Sequence, residues 1–396
     1  MQEFTARRRE PTPPPKPAQP WNERREAPVS GARRRNRLLG MACAVMAILS
    51  LLASDSLLRG AALVGAGFAL PQGAGSLLYP PTESSSAALP ILADAPTHKI
   101  VLGDVKNFDL RATPADIQVL MEEAVAEYAD QRRDGDIRDK AYGAKDASHA
   151  WGALFARNTT KSQPERDLSK DLAAPIDLQL DKSKPAILIF HTHTTEAFEI
   201  LERPWYAVGW TSRTENGAKS IVRVGEEMAK VLERAGWQVI HDRTIYDRQY
   251  TGAYDKSRTA VLKHLEDNPG ILVTLDVHRD AIHTDSGVRI RPVAEIGGKR
   301  AAQVMIITGV QEGAIAHYPD WEENLRFAAK LHAAAEERYP GLMRPLFFAP
   351  RRYNMDLTPY SLLLEMGADA NTLEEAIYSG RLMGDVLSGL LEGYIL

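Results

Sequence analysis

Residues 187–198 read ILIFHTHTTEAF, four apolar residues followed directly by two histidines, three threonines and a glutamate. A continuous apolar run of this length is typical of a strand that is buried on both faces of a parallel sheet. Side chains that titrate or bind metal ions are costly to bury without partners. Their position directly after such a strand therefore predicts a functional site at the end of the strand.

The same pattern recurs along the chain from residue 184 onward. Apolar runs such as ILVTLD (271–276) and SLLLE (361–365) alternate with segments that repeat apolar residues at helical spacing, such as SIVRVGEEMAKVLERAG (220–236). This alternation predicts one doubly wound α/β domain over residues 184–396, with a mostly parallel sheet and helices on both faces. In such sheets, ligands bind beyond the carboxyl ends of the strands.

Acidic and metal-binding residue types stand at three of these strand ends. His191, His193 and Glu196 follow the first strand, His278 follows ILVTLD, and Glu365 ends SLLLE. Two histidines and a carboxylate can hold Zn²⁺ and leave a fourth position for water, whose proton a second carboxylate can accept. The pattern predicts a zinc site, against the alternative that these histidines are hydrogen-bonded structural residues.

The spacing of these residues adds two expectations. His191 and His193 are two positions apart, so on a regular strand their side chains would point the same way. Asp276 and Asp280 flank His278, and either could orient its ring from outside the ligand set.

The first part of the chain has a different composition. Residues 1–37 carry ten Lys or Arg against four Glu together with a proline-rich run, which predicts a disordered basic tail. Residues 38–53 contain no charge and predict a transmembrane anchor, extending toward residue 70, with the tail cytoplasmic and the rest outside. A cleaved signal peptide is the alternative. Residues 71–96 are typical of a linker, and residues 97–183 are expected to form an accessory or stalk region.

The composition also limits the chemistry. The only cysteine, Cys43, lies in the apolar run, so any metal must be held by nitrogen and oxygen ligands. The net charge of -4 argues neither for nor against nucleic acid. Because no P-loop or G-x-G-x-x-G motif follows a strand, we expect no nucleotide chemistry and no nucleic-acid partner.

Five motifs together resemble the stage II sporulation protein P family. The resemblance covers most of residues 185–390, with the motifs in family order. The motifs are ILIFHTHTTEAF (187–198), VGEEMAKVLERAGWQVIHDRTIYD (224–247), TLDVHRDA (274–281), HYPDWEENLRFAAKLHAAAEERYPGLMRPLF (317–347) and YNMDLTPYSLLLEMGADANTLEEA (353–376).

This resemblance implies a membrane-anchored peptidoglycan hydrolase that acts at the sporulation septum during engulfment of the forespore. The implied activity is that of a zinc-dependent N-acetylmuramoyl-L-alanine amidase, with an endopeptidase activity on peptide cross-links as well. The implied partners are stage II sporulation protein D and stage II sporulation protein M. The implied fold is similar to that of the zinc-dependent amidases of bacterial cell walls.

The resemblance also suggests roles for individual residues. The H-T-H-T-T-E motif supplies His191, His193 and Glu196, and His278 completes the implied zinc ligands, with His193 preferred over His191. Glu215, which precedes the following helix, is an alternative to Glu196.

Two further roles concern the reaction itself. Glu365 is the implied catalytic residue, and the position of Arg279 suggests that it steadies an oxyanion. A non-catalytic scaffold that grips peptidoglycan at the septum is the competing interpretation. A degenerate scaffold should have lost a ligand or Glu365, whereas all of these residues are present.

Overall fold

The computed structural model describes residues 108–396, which all belong to one compact unit. The predicted basic tail, the apolar run at 38–53 and the linker at 71–96 lie outside the described residues. Within residues 108–396, no helix combines the length and the apolar character needed to cross a membrane. The membrane anchor therefore stays a prediction.

An eight-stranded sheet forms the centre of the fold. Of its seven neighbouring strand pairs, five are parallel and two are antiparallel, which confirms the mostly parallel sheet. Numbered along the chain and given in spatial order, the strands are β2 (His149–Trp151), β3 (Leu154–Asn158), β11 (Leu346–Ala349), β10 (Val304–Gly309), β12 (Tyr360–Ala368), β7 (Val273–Asp280), β4 (Pro185–Phe190) and β6 (Gln238–His241).

Helices cover both faces of this sheet. Alternate residues of β4 show this. Ile187 and Ile189 join the large core cluster with residues of the helices Ile221–Arg234, Trp321–Arg338 and Leu373–Leu391, whereas Leu188 and Phe190 pack with Val261 of the helix Ala253–Asp267. The predicted coverage of both faces is thus confirmed. The helices are α1 (Ala115–Tyr128), α2 (Leu168–Ala173), α3 (Ile221–Arg234), α4 (Ala253–Asp267), α5 (Trp321–Arg338) and α6 (Leu373–Leu391).

Local sequence sets the starts of helices α3 and α6. The Ser220 hydroxyl accepts a hydrogen bond from the backbone N–H of Val222 and so begins α3. At α6, the Thr372 side chain accepts from the N–H of Glu375, whose carboxylate accepts from the N–H of Thr372. This reciprocal pair is a capping box, which the spacing of Thr372 and Glu375 in NTLEEAI (371–377) indicates.

A smaller sheet lies beside the main one. It has four strands in the spatial order β5 (Trp205–Ala207), β1 (Arg133–Lys140), β8 (Arg289–Ile296) and β9 (Lys299–Ala302). Strands β8 and β9 form an antiparallel hairpin around Gly297 and Gly298, where the sequence EIGGKR indicates a hairpin or loop. Both glycines have positive φ, which the tight turn requires.

The described part of residues 97–183 is built into these two sheets. Strand β1 pairs with β8, and β3 pairs with β11 at one side of the main sheet. The apolar spacing of Ile117, Leu120, Met121 and Ala124 indicates helix α1, and Ile117 and Ala124 are buried in the structure. The strands were not predicted, because RDGDIRDK in β1 is charged and carries only one buried residue, Ile137. A separate accessory role for this segment stays a prediction.

Candidate active site

Side chains from three neighbouring strands meet beyond or near their carboxyl ends. His278 on β7 and Glu365 on β12 are paired in register, so their side chains share one face of the sheet. The chain after β4 turns at residues 192–195 and brings His193 and Glu196 to the same place. The ring centres of His193 and His278 are 5.4 Å apart. The structure thus brings four of the predicted site residues together.

Aromatic rings enclose His193. Its ring stacks on that of Tyr250 at 4.6 Å between centres and meets the ring of Tyr254 edge-on at 5.6 Å. The buried Nδ1 atom of His193 lies 3.6 Å from Oδ2 of Asp247, too far for a hydrogen bond, and contacts no other hydrogen-bond partner within residues 108–396. Nδ1 of His193 thus faces the carboxylate of Asp247 without a hydrogen bond.

Glu196 lies between His278 and Arg213, whose Nη2 is 3.8 Å from Oε1 of Glu196. Its Oε2 accepts a hydrogen bond of 3.1 Å from the backbone N–H of Arg279 and lies 3.5 Å from Nδ1 of His278. Burial acts to raise the pKa of Glu196, but the interaction with His278 and the charge of Arg279 outweigh it and lower the pKa to about 2. Glu196 is therefore held as a carboxylate, the form that binds a metal ion.

His278 is flanked by carboxylates on both ring nitrogens. Opposite the Glu196 contact, Nε2 of His278 lies 2.7 Å from Oδ1 of Asp276, but the angle does not make a hydrogen bond. Burial alone would lower the pKa of His278, whereas the charges of Asp276 and Glu196 raise it well above its usual value. Of the two aspartates expected to orient this ring, Asp276 contacts it, and Asp280 instead pairs with Arg344.

Glu365 is a half-buried carboxyl group whose Oε2 has no hydrogen-bond partner in the described part of the chain. Burial raises its pKa to about 8, and the negative charges of Asp280 and Glu196 act in the same direction. A carboxyl group with this pKa can exchange a proton near neutral pH, which is what general acid–base catalysis needs.

His191 points away from this group. Its Nδ1 donates to the carbonyl oxygen of Val277 at 2.7 Å, so its Nε2 accepts from Nε2 of His241 at 2.9 Å. Nε of Arg243 in turn donates to Nδ1 of His241. Burial lowers the pKa of His191 to about 4, and burial with the neighbouring His191 lowers that of His241 to about 2. Both rings are therefore neutral at pH 7.

The expectation that His191 and His193 point the same way is wrong. It requires a continuous strand, whereas β4 ends at Phe190 and the chain turns immediately afterwards. The two rings consequently enter different surroundings. His193 faces the tyrosines and His278, and His191 belongs to a buried hydrogen-bond chain.

Two other residues named from the sequence have partners elsewhere. The Arg279 guanidinium donates to the backbone carbonyls of Ala197, Ser212 and Asp280, so the suggested oxyanion role has no support in this geometry. Arg279 instead holds the segment that carries Glu196. Glu215 forms an exposed ion pair with Arg248 at 3.1 Å, apart from the site.

The side chains at the site are of the types that bind zinc, but their present positions do not form a complete zinc site. Within residues 108–396, no three His, Cys, Asp or Glu side chains are gathered closely enough to hold a metal ion. However, Nδ1 of His278 and Oε2 of Glu196 are 3.5 Å apart, close to the roughly 3.4 Å expected between two ligands of one tetrahedral zinc. The imidazole of His193, whose ring centre lies 5.4 Å from that of His278, is the third donor group.

Sequence reasoning missed the residues that surround His193. Asp247 accepts hydrogen bonds from the backbone and hydroxyl of Thr195 and pairs with Arg213, which fixes the turn after β4. Tyr254 stacks on Tyr353 at 5.1 Å and so links α4 to the loop before β12. Asp247 ends one of the family-like motifs, and this was the available signal. Tyr353 begins another of these motifs, whereas Tyr250 and Tyr254 lie outside all of them.

The sequence matches a known protein family. A family model described as stage II sporulation protein P matches residues 100–388. The stage II sporulation protein P of Bacillus subtilis is 29% identical over 224 residues, which are 53% of this chain and 52% of that protein. The chain thus spans about half the length of the curated relative that it matches.

Solved structures with a similar arrangement are N-acetylmuramoyl-L-alanine amidases at low similarity. AmiC2 of Nostoc punctiforme is 12% identical with a TM-score of 0.30, and the match covers 54% of this chain and 97% of that one. The CwlD amidase of Clostridioides difficile, solved with the GerS lipoprotein, is 13% identical with a TM-score of 0.32 over 52% and 98% of the two chains. At these values the likeness adds nothing to the argument from the residues.

Proposed function

This chain belongs to the stage II sporulation protein P family, and we propose that it is a peptidoglycan hydrolase of sporulation. The bond we propose it cleaves is the amide between N-acetylmuramic acid and L-alanine, with peptide cross-links as a second target. The observation that carries the proposal is the meeting of His193, Glu196, His278 and Glu365 on one face of the sheet.

The proposed cofactor is zinc, held by His193, Glu196 and His278. A zinc ion bound there would polarise the amide carbonyl and lower the pKa of a bound water. Neighbouring groups hold two of the proposed ligands in place. The backbone N–H of Arg279 donates to the Glu196 carboxylate, and Asp276 lies against His278 on the side away from Glu196.

Glu365 is the proposed general acid–base residue. Its free Oε2 can take a proton from the attacking water and return it to the leaving nitrogen of the amide. As a base it must first be ionised, and a cation near His278 would favour the carboxylate by opposing the charges of Asp280 and Glu196. Tyr250 and Tyr254 limit the access of water to His193.

The proposed setting is the sporulation septum, with the catalytic domain outside the cytoplasm and the chain anchored by residues 38–53. There the protein would act on peptidoglycan during engulfment of the forespore, together with stage II sporulation proteins D and M. The family membership supports this setting, and an interaction assay with each partner would test it.

The decisive experiment compares the full-length chain with two variants on purified peptidoglycan plus zinc. Glu365→Gln removes the acid–base group, and Glu337→Gln makes the same change at an exposed position of α5. Mass spectrometry of the soluble products should show free stem peptides from the parent and from Glu337→Gln only, and chelation should stop their release. No release with any metal, even with the partner proteins added, would support the non-catalytic scaffold.

A further inference from the structure

A cavity of about 460 Å³ opens beside Glu365, on the face of the main sheet that carries the candidate active site. Its floor consists of side chains that are in register across neighbouring strands. Glu365 lies opposite Met305, and Ile307 of the same strand lies opposite Phe347, which in turn lies opposite Arg157 on β3. The cavity therefore extends from the site across β10 and β11.

The dimensions of this floor match a short extended peptide. From β12 to β3 there are three strand spacings, which amount to roughly 14 Å. An extended chain covers this distance with about four residues. The middle of the floor, with Met305, Ile307 and Phe347, is apolar, and charged side chains stand at its two ends.

Arg344 stands at the end next to Glu365. It is 7% exposed, and one arm of its guanidinium donates to Oδ2 of Asp280 at 2.8 Å. The other arm, Nη1, is buried and contacts no hydrogen-bond acceptor within residues 108–396. Because Arg344 lines the cavity, an acceptor that enters beside Glu365 would supply the partner that Nη1 lacks.

Arg157 stands at the far end. Its guanidinium lies 5.8 Å from the ring centre of Phe347, is exposed, and has no carboxylate partner in the described part of the chain. Lys140 also lines the cavity. It lies over the ring of Tyr142, which the guanidinium of Arg344 contacts as well, and 3.8 Å from Asp146. Lys140 has Asp146 and Arg344 has Asp280 as a carboxylate neighbour. Among the cations that line the cavity, Arg157 alone has no carboxylate partner in the described part of the chain, so it can pair with a ligand.

We propose that this cavity binds a carboxylate-bearing peptide of about four residues, extended over β10 and β11. Nη1 of Arg344 donates to a peptide carbonyl next to Glu365, and Arg157 pairs with the carboxylate at the distant end. The assignment rests on the proposed function, because Glu365 places the cavity beside the bond to be cut. The ligand is then the stem peptide of the substrate, bound through its free C-terminal end.

The test measures peptide binding to the full-length chain by isothermal titration calorimetry, independently of any cleavage. The probes are a synthetic stem tetrapeptide with a free C-terminal carboxylate and the same peptide as its C-terminal carboxamide. We expect the acid to bind about tenfold more tightly, since a charge-assisted bond to Arg157 is lost in the amide. Equal affinity of the parent for both peptides would overturn the proposal.

The variants assign the preference to residues. Arg157→Gln should abolish the discrimination between acid and amide, and Arg132→Gln, the same change at an exposed arginine before β1, should retain it. Arg344→Lys keeps a charge beside Asp280 and should weaken both peptides by a similar factor, with thermal melting as the check on folding. Discrimination that survives Arg157→Gln, or that Arg132→Gln removes equally, contradicts the assignment.

The two proposals fail in different ways. A chain that binds the acid through Arg157 but releases nothing from peptidoglycan refutes hydrolysis and keeps the binding cavity. A chain that releases stem peptides but does not distinguish acid from amide refutes the cavity assignment alone.

Discussion

Replacing Gly225 with alanine should destabilise the protein, although alanine is the better helix former. Gly225 lies inside α3, where the helix passes the paired rings of His191 and His241. A Cβ atom at this position would lie 2.6 Å from Cε1 and Nε2 of His191 and 2.9 Å from Nε2 of His241. These distances are well inside van der Waals contact, and His191 is fully buried.

The balance of the contributions gives the sign. The helix propensity of alanine favours the variant by about 1 kcal/mol. Forcing an extra carbon into a packed core costs about 1–3 kcal/mol, and breaking the hydrogen bond between the two rings costs about 1 kcal/mol more. The expected net loss in the free energy of unfolding is therefore about 1–3 kcal/mol. Movement of His191 would also disturb its bond to the Val277 carbonyl, next to His278.

Urea unfolding at pH 7 would measure this loss, with a double-mutant cycle as the sharper assay. In a His191→Ala background, Gly225→Ala should cost little or become stabilising, since the main clash is gone. Gly143→Ala is the control, because Gly143 is extended and a Cβ there meets nothing within 4 Å. A Gly225→Ala variant as stable as the parent, or a cost unchanged by His191→Ala, would refute the reasoning.

Three other predictions follow from single groups. Glu196→Gln should abolish the release of stem peptides while Glu215→Gln leaves it unchanged; the reverse result would favour Glu215 as the ligand. Burial lowers the pKa of His332 to about 4, so below pH 6.5 the unfolded chain binds a proton that the folded chain does not. Protonation of the unfolded chain at His332 should therefore lower the free energy of unfolding by up to about 3 kcal/mol as the pH falls from 6.5 toward 4. His332→Gln should reduce the pH dependence of the urea midpoint. Thr372→Ala should cost about 1 kcal/mol in the same assay by removing the cap of α6, and no loss would contradict the role of the capping box.

The parts of the fold that could be predicted are those where one residue pattern determines one structure. The apolar runs of β4, β7, β10, β11 and β12 are buried strands, as expected from their composition. Helix α3 follows its apolar spacing, and α6 begins at its capping box. In each case the local preference and the tertiary environment agree, so the sequence alone was sufficient.

Tertiary context decided the rest. Strand β1 is charged along most of its length and forms because β8 and β5 supply its hydrogen-bond partners. The antiparallel pairing of β10 with β12 could not be predicted either, since both are continuous apolar runs and such runs do not encode direction. Similarly, Tyr250 and Tyr254 reach His193 through the path of a loop and of α4, which no local pattern specifies.

Among the site residues, an unusual residue type in an apolar run was a better predictor than the expected direction of a side chain. Glu365 stands out in the sequence because a carboxyl group after three leucines is costly to bury. Its raised pKa expresses the same cost as a higher affinity for a proton. That inference needed no knowledge of the backbone path. The inference about His191 and His193 depended on the strand continuing past Phe190, and the turn after β4 removed its premise. A carboxyl group within an apolar run therefore indicates a site even where the side-chain directions of its neighbours cannot be predicted. The cost of burying it arises from the apolar residues around it in the sequence, whatever path the backbone takes.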